Sequence, residues 1–219
     1  MLKTKDLISY QGTLAEKLLE QVEYPWQALP LINQYILETG PGLPKSEYSQ
    51  IKDDIWIHHT AQIAESALLN GPLIIGPDNE IRHNAFIRGG VIVGDSCVVG
   101  NSTELKNCIL VSHVEAPHFN YVGDSILGRY SHLGAGSITS NIKANRSNVI
   151  LNYQNELIET GLRKFGAIVG DHVEVGCNAV LNPGVIIGKN TIIYPLSMVR
   201  GIIEANIIYK NQNEIAELK

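Results

Sequence analysis

Four short segments hold residue types that can do chemistry. The stretch A-F-I-R-G carries Arg88, and T-E-L-K-N carries Glu104 and Lys106. A-P-H-F-N-Y-V-G-D carries His118 and Tyr121, and L-G-A-G-S-I-T-S-N carries Ala135 and Asn141. A histidine ordinarily titrates near neutrality, so it can accept a proton from an attacking group. A guanidinium fork and an ammonium suit a phosphate. A tyrosine hydroxyl adds a hydrogen bond to such an anion. Backbone N–H groups in a glycine-flanked turn suit a developing oxyanion. Each residue alone also fits a plainer role: a structural histidine, solvated turn cations, a tyrosine packed over a loop.

The elements that must position these residues are announced by a six-residue beat. An aliphatic stands at Ile57, Ile63, Leu69, Ile75, Ile81, Ile87, Val93, Val99, Leu105 and Val111. The beat returns at Val169, Val175, Leu181, Ile187, Ile193 and Val199. A period of six is neither helical nor a simple alternating strand. It is the mark of a solenoid in which short units stack over one continuous core. The fifth residue of each hexad is mostly small or β-branched, as at Ala61, Ala67, Ala85, Val91, Cys97, Thr103, Ala179 and Thr191. That pattern predicts triangular coils of three hexads, with small residues at tight corners. Between the two runs, residues 112–121 break the beat, with His118 in the middle. Leu127 and Leu133 resume it briefly.

The flanks are different. Residues 1–54 lack the beat. Leu14, Leu18, Leu19 and Val22 recur at helical spacing, and a second helix is expected from Leu31 to Glu38, with Gly40 past its end. We expect this segment to cap the open end of the solenoid. The solenoid itself is expected over residues 55–201, in roughly six coils, with an aperiodic insertion over 141–168. That insertion holds Lys143, Arg146, Arg163 and Lys164 in a chain that is acidic overall, and loops of this length are usually functional or disordered. Residues 202–219 are expected to form a tail ending in a helix over N-E-I-A-E-L-K.

Of the 219 residues 44% are hydrophobic and 18% charged, and the net charge of −5 argues against a nucleic-acid partner. Cys97, Cys108 and Cys177 show neither metal spacing nor pairing logic, and buried thiols in a reducing cytosol are expected. No long apolar stretch follows M-L-K-T-K-D, so neither a signal peptide nor a membrane span is expected. These features predict a cytoplasmic protein.

The beat resembles the hexapeptide repeat of left-handed parallel β-helix acyltransferases. The expected fold class is therefore an all-β solenoid, a left-handed parallel β-helix with a short N-terminal α-helical segment. From Arg88 to Asn141 the chain resembles the acetyltransferase domain of the bifunctional bacterial enzyme that makes UDP-N-acetylglucosamine. All four segments match in order over some fifty residues. The resemblance implies an acetyl-CoA-dependent N-acetyltransferase acting on glucosamine 1-phosphate or a similar amino-sugar 1-phosphate. It implies His118 as general base, the Ala135 amide as oxyanion donor, and Asn141 orienting the amino group. Arg88, Lys106 and Tyr121 would hold the phosphate, with Glu104 orienting one of the two cations. Acetyl-CoA would lie along the later coils, past Ala135, Cys177 and Pro195, although the family's residues around the last two are different. The resemblance also implies a homotrimer with sites between neighbouring solenoids, and no metal requirement for acetyl transfer.

The match departs from the family in three places. His132 stands where an asparagine that contacts the sugar or its phosphate is usual. The loop after Asn141 is longer, so Lys143, Arg146 or neither replaces a phosphate-binding lysine. No glycine-rich G-x-G-T-R-M segment occurs near the N-terminus, and uridylyl transfer is not expected. Other readings remain beside this one. The acceptor could be a different or nucleotide-linked aminosugar, or the donor another acyl group. The solenoid could be a non-catalytic module. A zinc enzyme like the γ-class carbonic anhydrases shares the fold, and His113 and His118 have the offset of two of its ligands. Its third histidine would fall near Pro77, His83 lies off the expected face, and Lys106 replaces its glutamine, so no metal site is expected.

Overall fold

The computed structural model describes residues 2–211 and 214–217. From Ile55 onward the chain winds as a parallel β-helix with three flat faces. On the first face, Ile55, Leu73 and Val91 stand in register, followed by Cys108 and Ser125. Ala167–Val169, Val185–Ile187 and Ile202–Ile203 continue that face. The second face runs from Gln62–Ile63 to Ile207–Asn211, and the third from Leu68–Leu69 to Met198–Val199. Together they give eight rungs on the first two faces and seven on the third, more than the six coils expected. The beat residues fill the interior: Ile75, Ile81, Ile87, Val93, Val99 and Leu105 are all buried in one core. The small residues Ala85, Cys97, Thr103, Ala179 and Thr191 are buried as well, which lets each corner turn tightly.

One step of the beat is corrected. Leu110, not Val111, pairs with Val93 and enters the core, while Val111 packs on the outside. The coil between Leu105 and Leu110 is one residue short. Ala116 and Val122 then follow at six, and Leu127 at five. Residues 112–121 are therefore an ordinary coil shifted by one residue, not a break in the solenoid. Both deletions lie on the edge where the third face turns into the first. Arg88, Gly89 and Gly90 span that edge between Ile87 and Val91. Lys106 and Asn107 alone span it one rung later, then Gly123 and Asp124. Asn107 and Asp124 adopt left-handed backbone there, at φ 47° and 48°, a conformation that Asn and Asp tolerate better than most residues. The insertion leaves from this same edge, between Thr139 and Ala167, and folds back as an antiparallel hairpin of Ile150–Tyr153 with Glu156–Glu159.

The helical part of the N-terminal segment does not cap the open end, a task left to its last strand, Tyr48–Lys52. The helical part lies against the side of the solenoid. The first face reads L-I-I, V-I-V, C-I-L, S-I-L, A-I-V and V-I-I on successive rungs, so its strands are apolar on both sides. The central residues Ile74, Ile92, Ile109, Ile126, Ile168 and Ile186 point outward and are fully buried. Leu7, Trp26, Leu29, Ile32 and Ile36 cover them. They come from the short helix Thr4–Leu7, the 3-10 turn Pro25–Leu31 and the helix Ile32–Thr39. Gly40 is obligatory beside Trp56, because a Cβ there would lie 2.4 Å from the indole. The open edges are covered by strands instead. Tyr48–Lys52 pairs antiparallel with Ile55–His58 at the start, and Glu214–Glu217 pairs antiparallel with Ile207–Asn211 at the finish. The expected C-terminal helix is thus a strand over its described residues, and Ile202–Tyr209 belongs to the solenoid rather than to a tail. Cys97 and Cys108 are buried as expected, but Cys177 is exposed at a corner. No helix among the described residues is long and apolar enough to cross a membrane.

Candidate active site

The edge between the third and first faces, with the adjoining strands of the third, gathers Arg88, Glu104, Lys106, Tyr121 and Asn141. Arg88 donates to Glu104 at 2.8 Å, in a pair open to solvent. Of the two cations, Glu104 therefore meets Arg88. One rung on, Lys106 donates to Asp124 at 3.2 Å, and Asn107 donates to the other Asp124 oxygen at 2.9 Å. Asn141 also donates to Asp124, and to the Tyr121 hydroxyl at 3.2 Å. Asp124 is 4% exposed and gathers three donors, which keeps a buried carboxylate satisfied. Asp124 closes the same A-P-H-F-N-Y-V-G-D segment, but the sequence alone does not single it out. Gly123 makes room for the Tyr121 ring: a Cβ there would lie 2.5 Å from the phenol oxygen. Burial, then the charges of Asp124 and Glu104, push the Tyr121 phenol above its ordinary value. It stays protonated at neutral pH, and because its oxygen accepts from Asn141, its proton remains available to an anion.

His118 sits on a different edge, where the second face turns into the third. Its imidazole is exposed, and its backbone N–H donates to Asn120 Oδ1 at 3.1 Å. The next rungs stack directly above it. Gly136 donates to the His118 carbonyl at 3.0 Å, Asn178 to the Ala135 carbonyl at 2.8 Å, and Leu196 to the Cys177 carbonyl at 2.9 Å. Ala135, Cys177 and Pro195 therefore line one edge with His118, while Asn141 lies with the cations on the other. The Ala135 N–H has no acceptor among the described residues. The width of the third face separates the two groups. Tyr121 lies on that face between Glu104 and Ile138, with its ring turned toward the cations. His132 is on the second face, its Nδ1 3.0 Å from Glu174 Oε2, apart from the cationic edge.

The insertion adds Lys143 beside the same edge. A cavity of about 500 Å³ is lined by Ser140, Lys143, Asn182 and Arg200, among others. The Lys143 ammonium donates to the Asn148 carbonyl at 3.1 Å. No cluster of three or more His, Cys, Asp or Glu side chains fit to hold a metal occurs among the described residues. The His113 ring lies 4.6 Å from that of Tyr130, tilted by 31°, on the third edge of the prism, away from His118.

The sequence is similar to two known families. Residues 69–159 match the family model described as GMPPB C-terminal domain, and residues 166–201 match bacterial transferase hexapeptide (six repeats). A Methanococcus aeolicus protein named bifunctional protein GlmU is 31% identical over 214 residues, covering 89% of this chain and 48% of the relative. A bifunctional sugar-1-phosphate nucleotidylyltransferase/acetyltransferase of Sulfurisphaera tokodaii is 34% identical, covering 88% of this chain and 48% of the relative. The chain thus spans about half the length of these relatives. PerB from Caulobacter crescentus, solved with CoA and GDP-perosamine, aligns at 18% identity and a TM-score of 0.39, covering 87% of this chain and 75% of PerB. Residues 69–159 are thus similar to GMPPB C-terminal domains, residues 166–201 to bacterial transferase hexapeptide repeats, and the chain as a whole to about half the length of proteins named GlmU.

Proposed function

We propose that the protein is an acetyl-CoA-dependent N-acetyltransferase whose acceptor is an amino-sugar 1-phosphate such as glucosamine 1-phosphate. The observation that carries this reading is the division of one face into two complementary edges. One holds Arg88, Lys106 and the Tyr121 hydroxyl, the donors a phosphate requires. The other holds a solvent-facing imidazole one rung from a backbone N–H without an acceptor among the described residues. The name of the Sulfurisphaera relative, a sugar-1-phosphate acetyltransferase in part, agrees with the same chemistry.

The reaction follows from that layout. The acceptor's neutral amine attacks the thioester carbonyl of acetyl-CoA, and a C–N bond forms. His118 takes the proton that the nitrogen loses. The negative charge on the former carbonyl oxygen is met by the Ala135 N–H. The tetrahedral intermediate collapses with cleavage of the C–S bond, and the CoA sulfur leaves with the proton His118 held. The coenzyme lies along the rungs of Ala135, Cys177 and Pro195. Asn141 orients the acceptor from its seat on Asp124 and Tyr121.

The distance between the edges is accommodated in a homotrimer, where the cationic edge of one solenoid faces the histidine edge of the next. Support for a second copy comes from the third face between them. Leu68, Ile138 and Met198 stand on it, each at least 39% exposed, with Phe119 and Leu196 on the adjoining corner. Apolar surface of this kind on a flat β-face marks an interface. The proposed reaction is placed in the cytoplasm. It is tested by incubating the protein with acetyl-CoA and a panel of aminosugar phosphates. Acceptor-dependent release of free thiol supports the reading, and thiol release that ignores every acceptor overturns it. The same panel separates amino-sugar 1-phosphates from nucleotide-linked aminosugars.

A further inference from the structure

A cavity of about 480 Å³ opens where the N-terminal segment meets the cationic edge. Arg88, Lys106 and Asn107 form one wall, and Leu29, Pro30 and Asn33 form the other. This volume lies in the range of roughly 300–1,000 Å³ that holds a whole small ligand, so a phosphate alone would leave part of it unfilled. The far wall is rigid. Leu29, Ile32 and Ile36 are buried against the outward isoleucine ladder and hold Asn33 in place at the start of its helix. The two walls come close at Gly90. It has a left-handed φ of 65°, and a Cβ on it would lie 2.8 Å from Asn33 Oδ1 and 3.2 Å from Asn107 Oδ1. Asn107 is tied to Asp124, whereas the Asn33 carboxamide makes no hydrogen bond among the described residues.

We propose that this cavity binds the phosphate-bearing end of the acceptor, and that Asn33 is a specificity-determining residue there. Its carboxamide N–H donates to a phosphate oxygen held by Arg88 and Lys106. Whatever the phosphate carries, a proton or a further nucleoside phosphate, extends toward Leu29 and Pro30. The two cations are already balanced by Glu104 and Asp124, so a neutral donor from the facing wall adds recognition without adding net charge. The N-terminal segment thereby becomes part of the substrate site and not only a cover for the first face. This inference rests on the proposed phosphate-ester acceptor.

The test is calorimetric titration of the full chain and its Asn33→Ala and Asn33→Asp variants. The titrants are inorganic phosphate, glucosamine 1-phosphate, UDP-glucosamine and acetyl-CoA. Asn33 is exposed at a helix start, so both variants are expected to fold. Losing a hydrogen bond to a charged group predicts about a tenfold weaker Kd for the phosphate esters in Asn33→Ala. Asn33→Asp, which sets a carboxylate against the phosphate, should weaken them further, with acetyl-CoA binding unchanged in both. A larger loss for UDP-glucosamine than for glucosamine 1-phosphate places the nucleotide against Asn33; equal losses place the phosphate alone there. Wild-type affinity for both esters in both variants overturns the proposal. If the protein acetylates no aminosugar phosphate, the acceptor reading fails, and the titrations still decide the cavity. Asn33-dependent binding of either aminosugar phosphate supports it, and absence of binding of both to wild type overturns it.

Discussion

Asp124 and Glu104 each hold one cation of the proposed phosphate site, yet their removal should have unequal effects. Asp124 is nearly buried and accepts from Lys106, Asn107 and Asn141, and the Lys106 side chain is only 23% exposed. Breaking a buried pair from one side costs about 3–5 kcal/mol. Access of water to Lys106 lowers that expectation to about 2–4 kcal/mol for Asp124→Ala, part of it the cost, about 1 kcal/mol, of alanine in a left-handed backbone. Asp124→Asn is the cleaner perturbation. It keeps the size and tolerates the backbone at φ 48°, but it exchanges one acceptor for a donor that faces other donors. We expect a loss of about 1–3 kcal/mol. The Arg88–Glu104 pair is open to solvent on both sides, so Glu104→Gln should cost below about 1 kcal/mol. Urea unfolding followed by circular dichroism measures both, with an unchanged slope confirming that stability alone has moved. A double-mutant cycle of Asp124→Asn with Lys106→Met should show a coupling of about 1 kcal/mol or more. Asp124 also acts as a positioning residue, so the KM for the acceptor should rise in Asp124→Asn while that for acetyl-CoA holds. If Asp124→Asn and Glu104→Gln unfold at the same urea concentration, the hub described here does not exist.

Other outcomes follow from the same structure. Burial raises the Asp95 carboxyl above its ordinary value, against the opposing charges of Arg129 and His113. A carboxyl raised in the fold adds stability below its unfolded pKa of about 3.9 that is lost as pH climbs through the folded value. Asp95→Asn should therefore raise Tm at pH 7 and differ little from wild type near pH 3; a lower Tm at pH 7 would contradict this. Burial pushes the Cys97 thiol up to about 12 and the Cys108 thiol higher still, while Cys177 is exposed. A maleimide should label Cys177 alone in the folded protein, and acetyl-CoA should slow that labelling if the coenzyme crosses this rung. Labelling of all three thiols at one rate would argue against the fold. Ile126 lies fully buried under the N-terminal segment, and Ile126→Ala should cost about 2–5 kcal/mol in urea unfolding. A cost below about 1 kcal/mol would mean that the segment does not cover this face.

Much of the solenoid was legible because each hexad sends one aliphatic inward and one small residue to a corner. The slip after Leu105 was not. Leu110 and Val111 are adjacent aliphatics, and either satisfies a count by sixes. Only the pairing of Leu110 with Val93 tells which one faces inward. The lateral position of the N-terminal segment had a signal that went unused: the central isoleucine in L-I-I, V-I-V and the following triplets makes the first face apolar on both sides. The C-terminal strand was hidden because A-E-L-K also reads as helical, and its pairing with Ile207–Asn211 is a tertiary choice. At the site, Arg88, Glu104, Lys106, Tyr121 and Asn141 were found by motif, and the structure groups the five at one edge, with Glu104 and Tyr121 reaching it from the adjoining third face. His118, Ala135, Cys177 and Pro195 share another. Asp124 escaped notice because its importance lies in three partners distant in sequence, and Asn33 because its cavity exists only once the segment docks.

The central claim is acetyl transfer by His118, and a comparison of wild type with His118→Ala tests it most directly. The measurement is kcat/KM for acceptor-dependent thiol release from acetyl-CoA, from pH 5 to 8. The account predicts measurable wild-type turnover of an amino-sugar 1-phosphate, with kcat/KM falling toward low pH as a general-base step requires. It predicts a loss of about 10²- to 10⁴-fold in His118→Ala, with binding of the acceptor retained. Equal rates in the two proteins, or a wild-type profile flat across that range, would contradict it.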